Sequence, residues 1–216
     1  MGKDKLRRFA EIATFDNVHQ LEEGKGLKGN WKKIQFKNSN PLVLELACGK
    51  GEYSVTLAKL FPEKNFIGID YKGNRIWRGA KTAIEEGINN VAFLRIQIEN
   101  ILDYFDAQEI SEIWITFPDP QPQESREKKR LTFPGFLDKY RIILEPDGIL
   151  HLKTDNDDLH LYTHEKIAEL NLHLHVRTDD LYRSEFADEI LSIKTYYEKK
   201  YLANEKNINY LKFSFQ

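Results

Sequence analysis

One carboxylate lies between two prolines, which would hold its negative charge in a fixed position. The apolar run "IWITFPDPQP" (113–122) ends with Asp119 between Pro118 and Pro120. Proline fixes its own φ and favours extended conformations for the residue before it, so Phe117 and Asp119 are both predicted to be extended and stiff. Taken alone, the segment is typical of a proline-rich turn after a strand. Within a site, it would present a rigid carboxylate.

A glycine-bearing turn earlier in the chain has the spacing of a cofactor-binding loop. "ELACGKGEYS" (45–54) places Gly49 and Gly51 between an apolar strand and a helix. Glycine there lets the backbone approach a ligand, and the helix N-terminus attracts negative charge. Asp70 follows Gly51 by 19 residues, at the end of the next strand, where a carboxylate could bind a ribose. This pattern admits either NAD or S-adenosylmethionine.

Two details favour S-adenosylmethionine over NAD. Ser54 occupies the place of the third glycine of the dinucleotide motif, and Glu45 lies inside the first strand, where it would repel a pyrophosphate. S-Adenosylmethionine has no phosphate and carries a sulfonium cation, so nearby carboxylates are compatible with it. An NAD-binding oxidoreductase remains the alternative at this point.

Strands and helices alternate along the part of the chain that must position these residues. Most of the strand-like segments are nearly continuous apolar runs, which predicts a mostly parallel sheet with helices on both faces. The last two strands lack a long helix between them, which predicts an antiparallel edge strand at the C-terminal end. The seven predicted strands are 42–47, 65–70, 90–98, 112–117, 147–155, 172–178 and 208–215.

Composition restricts the class of protein. The 216 residues are 41% hydrophobic and 31% charged, with no apolar run of membrane-spanning length and a single cysteine, Cys48. These features predict a cytoplasmic protein without an internal disulfide. The oligomeric state is left open between a monomer and a homodimer. His160 and His164 share a helix face without a clear third ligand, so no metal site is predicted.

Positive charge is concentrated in two segments of a chain that is otherwise acidic. Residues 1–40 contain nine Lys/Arg against five Asp/Glu and are predicted to form a basic N-terminal arm, with 21–31 as a flexible stretch, before a main domain at 41–216. "REKKR" (126–130) adds four basic residues against one acidic residue. Such runs are usually solvated, yet two of them favour a polyanionic partner. Trp31 of the arm is the best candidate for stacking on a base. The cations predicted to contact phosphates beside Asp119 are Lys128, Lys129 and Arg130.

Six motifs occur in the order typical of one enzyme family. "ELACGKGE", "IGID", "FPDP", "KKRLTFPGFL", "LKTDN" and "TYYE" resemble those of bacterial tRNA (guanine-N(7)-)-methyltransferases, over roughly Leu44 to Glu198. The combination of FPDP, KTDN and T-x-Y-E is the specific part. The resemblance implies a Rossmann-like class I methyltransferase fold for 41–216, S-adenosyl-L-methionine as cofactor, and a guanosine of the tRNA variable loop as substrate.

The resemblance also implies roles for individual residues. Asp119 would lie at the mouth of the cofactor site. Gln121 and Gln123 replace the Trp and Lys that usually follow FPDP, which removes one phosphate-type contact, and Gln97 replaces a frequent acid but can still bind an adenine edge. The implied cofactor-binding residues are Glu45, Gly49, Gly51, Asp70, Gln97 and Asp119. The implied tRNA-binding residues are Gln123, Asp155, Thr195, Tyr196, Tyr197 and Glu198.

Methylation of guanine nitrogen 7 has few chemical requirements. The nitrogen has a lone pair and no proton, so the reaction needs alignment rather than a general base. Asp119, as the catalytic residue, would hold guanine N–H donors and favour the growing positive charge. Local sequence also allows Asp155 to cap a helix, and Thr195 with Glu198 to form a capping box. Alternative functions are methylation of a small molecule or a protein, and RNA binding without catalysis.

Overall fold

The backbone is organised around a β-sheet. The computed structural model describes residues 2–188, 190–193, 196–204 and 206–215. Within these ranges the sheet has eight strands. They are β1 (Val18–Gln20), β2 (Leu42–Leu46), β3 (Asn65–Ile69), β4 (Val91–Arg95), β5 (Ile110–Thr116), β6 (Leu144–Thr154), β7 (His173–Thr178) and β8 (Asn209–Ser214).

Helices connect most of the strands, and local sequence sets several of their ends. Helix α5 begins with Pro134, whose missing N–H costs nothing at that position. Helix α6 is capped by Asn156, whose Oδ1 accepts from the Leu159 N–H at 2.7 Å. In the described ranges, no helix has both the length and the apolar character needed to cross a bilayer. The α-helices are α1 (Gly2–Ile12), α2 (Leu21–Lys25), α3 (Glu52–Leu60), α4 (Gly73–Glu85), α5 (Pro134–Ile143), α6 (Asp157–Glu169) and α7 (Tyr196–Leu202). A π-helix (Trp31–Phe36) and 3₁₀ turns (Ile98–Asp103, Glu124–Lys129 and Leu181–Arg183) complete the elements.

The strand order is β1-β4-β3-β2-β5-β6-β8-β7. All seven predicted strands are present, and β8 alone among the described strands runs in the direction opposite to the others. The predicted Rossmann-like α/β fold is therefore confirmed, with two differences. β8 lies between β6 and β7, so β7 forms the edge. An eighth strand, β1, adds to the other edge by pairing with β4.

The two faces of the sheet each carry a hydrophobic core cluster. Successive side chains of a strand point to opposite faces. Leu42, Leu44 and Leu46 of β2 therefore pack in one cluster, and Val43 packs in the other. Glu45 shares the face of Val43. This alternation directs its carboxylate toward the helices of that face.

The N-terminal forty residues contain regular structure packed on the sheet. Arg8 of α1 lies over the Trp77 ring of α4, 4.6 Å from its centroid. Trp31 is fully buried, donates to the Tyr104 carbonyl at 2.9 Å and stacks on Phe105. The prediction that Trp31 stacks on a base is therefore wrong, because the ring is part of the core. The domain boundary at residue 40 stays a prediction.

Candidate active site

A cleft opens where the order of the strands reverses, between β2 and β5. Ligands of open α/β sheets bind at the carboxyl ends of strands at this point. The cleft has a volume of about 500 Å³ and adjoins a smaller chamber of about 70 Å³. The larger volume is within the range typical of small-molecule sites. Asp70, Gln97, Asp119 and Lys129 line the cleft, Glu45 and Gly49 line the chamber, and Ala47, Arg75 and Phe117 line both.

The two glycines of the β2–α3 turn have different environments. Both have left-handed backbone, with φ of 57° at Gly49 and 69° at Gly51. A Cβ on Gly49 would meet only the Ala47 carbonyl oxygen, at 4.0 Å, so the chamber side of Gly49 is open to a ligand. A Cβ on Gly51 would lie 2.3 Å from the Phe93 ring. Gly51 thus permits close packing behind the loop, whereas Gly49 faces the site.

Glu45 is a buried carboxylate beside the glycine turn. Its Oε2 accepts from the backbone N–H of Ser54 at 2.9 Å and from the Ser54 hydroxyl, and its Oε1 accepts from the Thr116 hydroxyl at 2.7 Å. Burial raises the pKa of Glu45 to about 7, although these hydrogen bonds favour the ionised form. Glu45 therefore connects β2, α3 and β5, and its charge changes near neutral pH.

Asp70 connects the ends of two strands. Its Oδ2 accepts from the Gly49 N–H at 3.0 Å, and its Oδ1 accepts from the Lys72 N–H at 2.8 Å. Burial raises the pKa of Asp70 above its ordinary value. Each carboxylate oxygen has more than one acceptor site, so Asp70 can fix the glycine turn and still bind ribose hydroxyls. Gln97, exposed after β4, lies on the same cleft.

Asp119 lies exposed at the cleft, at the end of β5. Its Oδ1 accepts from the Gln121 N–H at 3.1 Å, which fixes the carboxylate in a turn. Phe117 has a left-handed φ of 48°, so the predicted extended conformation of Phe117 is wrong. The reason is that the Phe117 N–H still bonds to the Lys153 carbonyl at 2.8 Å, so the chain must turn at Phe117 itself.

Three of the seven described non-glycine residues with a positive φ line this cleft. Ala47 and Gln121 have φ of 57° and 46°, and both line the cleft together with Phe117. Left-handed backbone is uncommon in residues other than glycine and occurs preferentially at functional sites, where surrounding contacts hold it. Three such residues on one cavity wall support its interpretation as the active site.

The basic segment predicted to bind phosphates borders the cleft. Gln123 is exposed just before the 3₁₀ turn Glu124–Lys129, and Lys128 is exposed on that turn. Lys129 lines the cleft itself. Arg130 has a different environment, because its Nε donates to the Gln121 carbonyl at 3.2 Å and its guanidinium lies 4.3 Å from the Tyr162 ring centroid. Arg130 therefore anchors the loop, while the lysines are available to a polyanion.

Asp155 lies at the end of β6 beside a separate surface hollow. It accepts from Lys206 Nζ at 2.9 Å, and both line the hollow of about 460 Å³. The residue that caps α6 is Asn156, so the alternative role of Asp155 as a helix cap is wrong. The structure does not place Asp155 on the wall of the cofactor cleft.

The T-x-Y-E segment leads into α7. Thr195 lies outside the described residues, and Tyr196 and Tyr197 begin α7. Glu198 is fully buried and pairs with Lys153 at 2.8 Å. Helix α7 instead reaches the cleft wall through Tyr201, whose ring centroid is 5.8 Å from that of Phe117.

Known proteins with similar sequences agree with this geometry. A family model described as "Putative methyltransferase" matches residues 39–211. A tRNA (guanine-N(7)-)-methyltransferase of Christiangramia forsetii is 51% identical over 98% of both chains. One of Bacteroides thetaiotaomicron is 47% identical, covering 99% of this chain and 86% of its own. The chain belongs to the tRNA (guanine-N(7)-)-methyltransferase family.

Solved structures share the fold at much lower identity. The 16S rRNA methyltransferase KamB has a TM-score of 0.65 at 13% identity, covering 85% of this chain and 92% of its own. A SAM-dependent methyltransferase from Aquifex aeolicus has a TM-score of 0.57 at 12% identity, covering 89% and 97%. Membership of the tRNA (guanine-N(7)-)-methyltransferase family confirms the predicted enzyme class and its cofactor, S-adenosylmethionine, over the NAD alternative.

One residue of the cleft and one buried partner of a predicted site residue were missed from the sequence. Arg75 lines both the cleft and the chamber, and it forms no ion pair within the described residues. The available signal was a cation one turn after Asp70, at the start of α4. Lys153 is fully buried in β6. It shares its strand face with His151, so in the sequence it has the pattern of a solvent-facing lysine.

Proposed function

We propose that this protein transfers the methyl group of S-adenosylmethionine to ring nitrogen 7 of a guanosine in tRNA, in the variable loop, as a cytoplasmic tRNA-modifying enzyme. One observation carries the proposal. Gly49, Asp70, Gln97 and Asp119 come from four separate segments of the chain, and they meet around a connected cleft at the switch point of the sheet. The chain is 51% and 47% identical to two proteins named for this activity, over 98% and 99% of its own length.

The residues around the cleft fit the cofactor part by part. Asp70 offers carboxylate lone pairs to the ribose hydroxyls, and Gln97 offers its amide to the adenine edge. Gly49 leaves room for the amino-acid end, where Glu45 is compatible with positive charge. Arg75 is the cation suited to the cofactor's single carboxylate, because a guanidinium binds carboxylates bidentately. When bound, S-adenosylmethionine supplies a methyl group on a sulfonium.

The protein's contribution to the reaction is alignment and electrostatics. Guanine nitrogen 7 attacks with its lone pair, and no proton leaves that nitrogen, so no residue must act as a base there. Asp119 accepts hydrogen bonds from the guanine ring N–H and amino group, and its negative charge stabilises the positive charge that grows on the ring. The Gln121 N–H and the two prolines hold Asp119 in place.

The basic loop beside the cleft suits the tRNA backbone. Lys128 and Lys129 present ammonium groups on the side where the guanine would enter, and Gln123 precedes them. Phosphate contacts of this kind position the nucleic acid without reading its sequence. Arg130 organises the loop through Gln121 and Tyr162, so its effect on tRNA binding is indirect.

Two measurements test this proposal. S-Adenosylmethionine or S-adenosylhomocysteine at about 100 times its dissociation constant should stabilise the fold by roughly 2.7 kcal/mol, a melting shift on the order of 5–10 °C, whereas NAD should give none. Labelled methyl groups should then pass from the cofactor to unmodified tRNA. Stabilisation by NAD alone, or no transfer to any tRNA, would contradict the proposal.

A further inference from the structure

A buried ion pair joins the C-terminal end of β6 to α7. Lys153 and Glu198 are both fully buried, and Lys153 Nζ lies 2.8 Å from Glu198 Oε1. The same Nζ donates to the carbonyls of Leu191 at 2.6 Å and Ile193 at 3.2 Å. These contacts place the ammonium between one carboxylate and two backbone carbonyls, which suits a group that carries only N–H donors.

Two tyrosines extend this network along the segment before α7. Tyr182 donates its hydroxyl to Glu198 Oε1 at 2.6 Å, and Tyr53 of α3 donates to the Ile190 carbonyl at 3.1 Å. The Lys153 ammonium lies 5.7 Å from the centroids of both tyrosine rings. These polar contacts add to the packing of Leu191 and Ile193 in the hydrophobic core and hold segment 190–193 and Glu198 to the sheet.

Stability alone does not account for such a pair. Burying two charges costs desolvation energy that their attraction often only balances, and an apolar pair of similar size usually stabilises as well or better. What the pair supplies is a fixed geometry. Removing one partner is strongly unfavourable, so the lysine and the glutamate hold each other in a single arrangement.

That arrangement fixes α7 next to the cleft. Lys153 precedes Asp155 by two residues, and its carbonyl accepts from the N–H of Phe117. Phe117 lines the cleft and packs against Tyr201 of α7. The ion pair thus joins the strand end that carries Asp155 to the helix that begins with the predicted tRNA-binding residues.

We propose that Lys153 is a positioning residue for tRNA methylation: with Glu198 it forms an internal clamp that holds α7 against β6 and so preforms the tRNA-binding surface beside the cleft. Glu198 then acts through Lys153 and not by touching RNA. This inference rests on the proposed function, because it concerns how the same site receives tRNA.

A double-mutant cycle tests the clamp. Lys153→Met, Glu198→Gln and the double variant are assayed at 20 °C with saturating cofactor, for kcat and for KM of tRNA. Each single variant should lose about tenfold or more in kcat/KM, mainly through KM, and the double variant should lose no more than the worse single one. Cofactor affinity should stay within twofold of wild type. Additive losses would overturn the clamp, since they are expected if Glu198 contacts RNA independently.

Stability is measured on the same proteins, with a control ion pair. Lys153→Met should lower the melting temperature by roughly 6–20 °C. The double variant should recover part of that loss, because the buried charge is gone while the carbonyls of Leu191 and Ile193 still lack the ammonium. Lys64→Met breaks a different pair, with Glu112 at 3.0 Å, at the opposite end of the sheet, and should leave KM for tRNA unchanged. An equal rise in KM in the control would overturn the clamp.

A milder variant keeps the test usable if Lys153→Met does not fold. Tyr182→Phe removes only the hydroxyl that donates to Glu198 Oε1 and should raise KM for tRNA several-fold, without weakening cofactor binding. An unchanged KM would count against the clamp. If the wild-type protein methylates no tRNA, the proposed function itself fails. If wild type is active but the cycle is additive, only the clamp fails.

Discussion

Replacing Glu45 with glutamine should change how stability depends on pH. The folded-state pKa of about 7 exceeds the ordinary 4.5, so the folded protein holds this proton more tightly than the unfolded chain. The stability associated with that proton is fully present below pH 4.5 and is lost as the pH rises to about 7. The difference between the two pKa values corresponds to about 3 kcal/mol of unfolding free energy, a melting shift of roughly 6–12 °C for a chain of this length.

Glutamine is suited to this test because it keeps the contacts of Glu45. Its Oε1 can accept from Ser54, and its amide can donate to the Thr116 hydroxyl, so the cost of altered hydrogen bonds is about 1 kcal/mol or less. Without cofactor, Glu45→Gln should be more stable than wild type at pH 8.5 and no more stable at pH 4.5. Urea unfolding across this pH range measures the difference.

A surface substitution controls for the lost charge. Glu63 is exposed, so Glu63→Gln removes the same charge without a buried environment and should give a pH profile parallel to that of wild type. If the pH profile of Glu45→Gln is also parallel to that of wild type, the charge of Glu45 is solvated or balanced by a nearby charge. Either case would contradict the buried geometry described for the chamber.

Three further substitutions separate the roles around the cleft. Asp119→Asn should keep the fold and lower turnover at least ~100-fold at saturating cofactor, because it removes one preorganised electrostatic contact; near wild-type turnover would reduce the motif to a turn. Arg75→Met should weaken the binding of S-adenosylhomocysteine roughly tenfold or more in calorimetry. It should leave the affinity for 5′-methylthioadenosine, which lacks the carboxylate, unchanged; equal losses of affinity would show that Arg75 does not bind the carboxylate. Lys129→Gln should flatten the salt dependence of tRNA binding by about 0.7–0.9, whereas Lys37→Gln, at the opposite end of the sheet, should not; equal slopes would exclude the loop from phosphate contact.

Sequence patterns predicted the strands and helices whose apolar residues recur at a regular spacing. Seven strands could be located because apolar runs bounded by turn residues alternate with helical spacing. β1 was missed because three residues, Val18–Gln20, are too few to show a period, and its pairing with β4 is a tertiary property. The place of β8 between β6 and β7 likewise depends on long-range pairing that local sequence does not encode.

The site could be predicted where one residue type serves one local purpose. Gly49 and Asp70 follow from the turn and the strand end that carry them. Phe117 could not be predicted, because its strand pairing overrides the usual effect of the following proline. The burial of Glu198 was also hidden, since its partner Lys153 is 45 residues away and looks like a surface lysine in the sequence.

The most direct test of the central claim replaces the accepting atom. A tRNA transcript is prepared with guanosine and another with 7-deazaguanosine, in which carbon stands at position 7, and both are incubated with labelled S-adenosylmethionine. After digestion, mass spectrometry should find the label in 7-methylguanosine from the first transcript and no label from the second. Label in any other nucleoside, or equal transfer to the 7-deazaguanosine transcript, would contradict methylation at nitrogen 7.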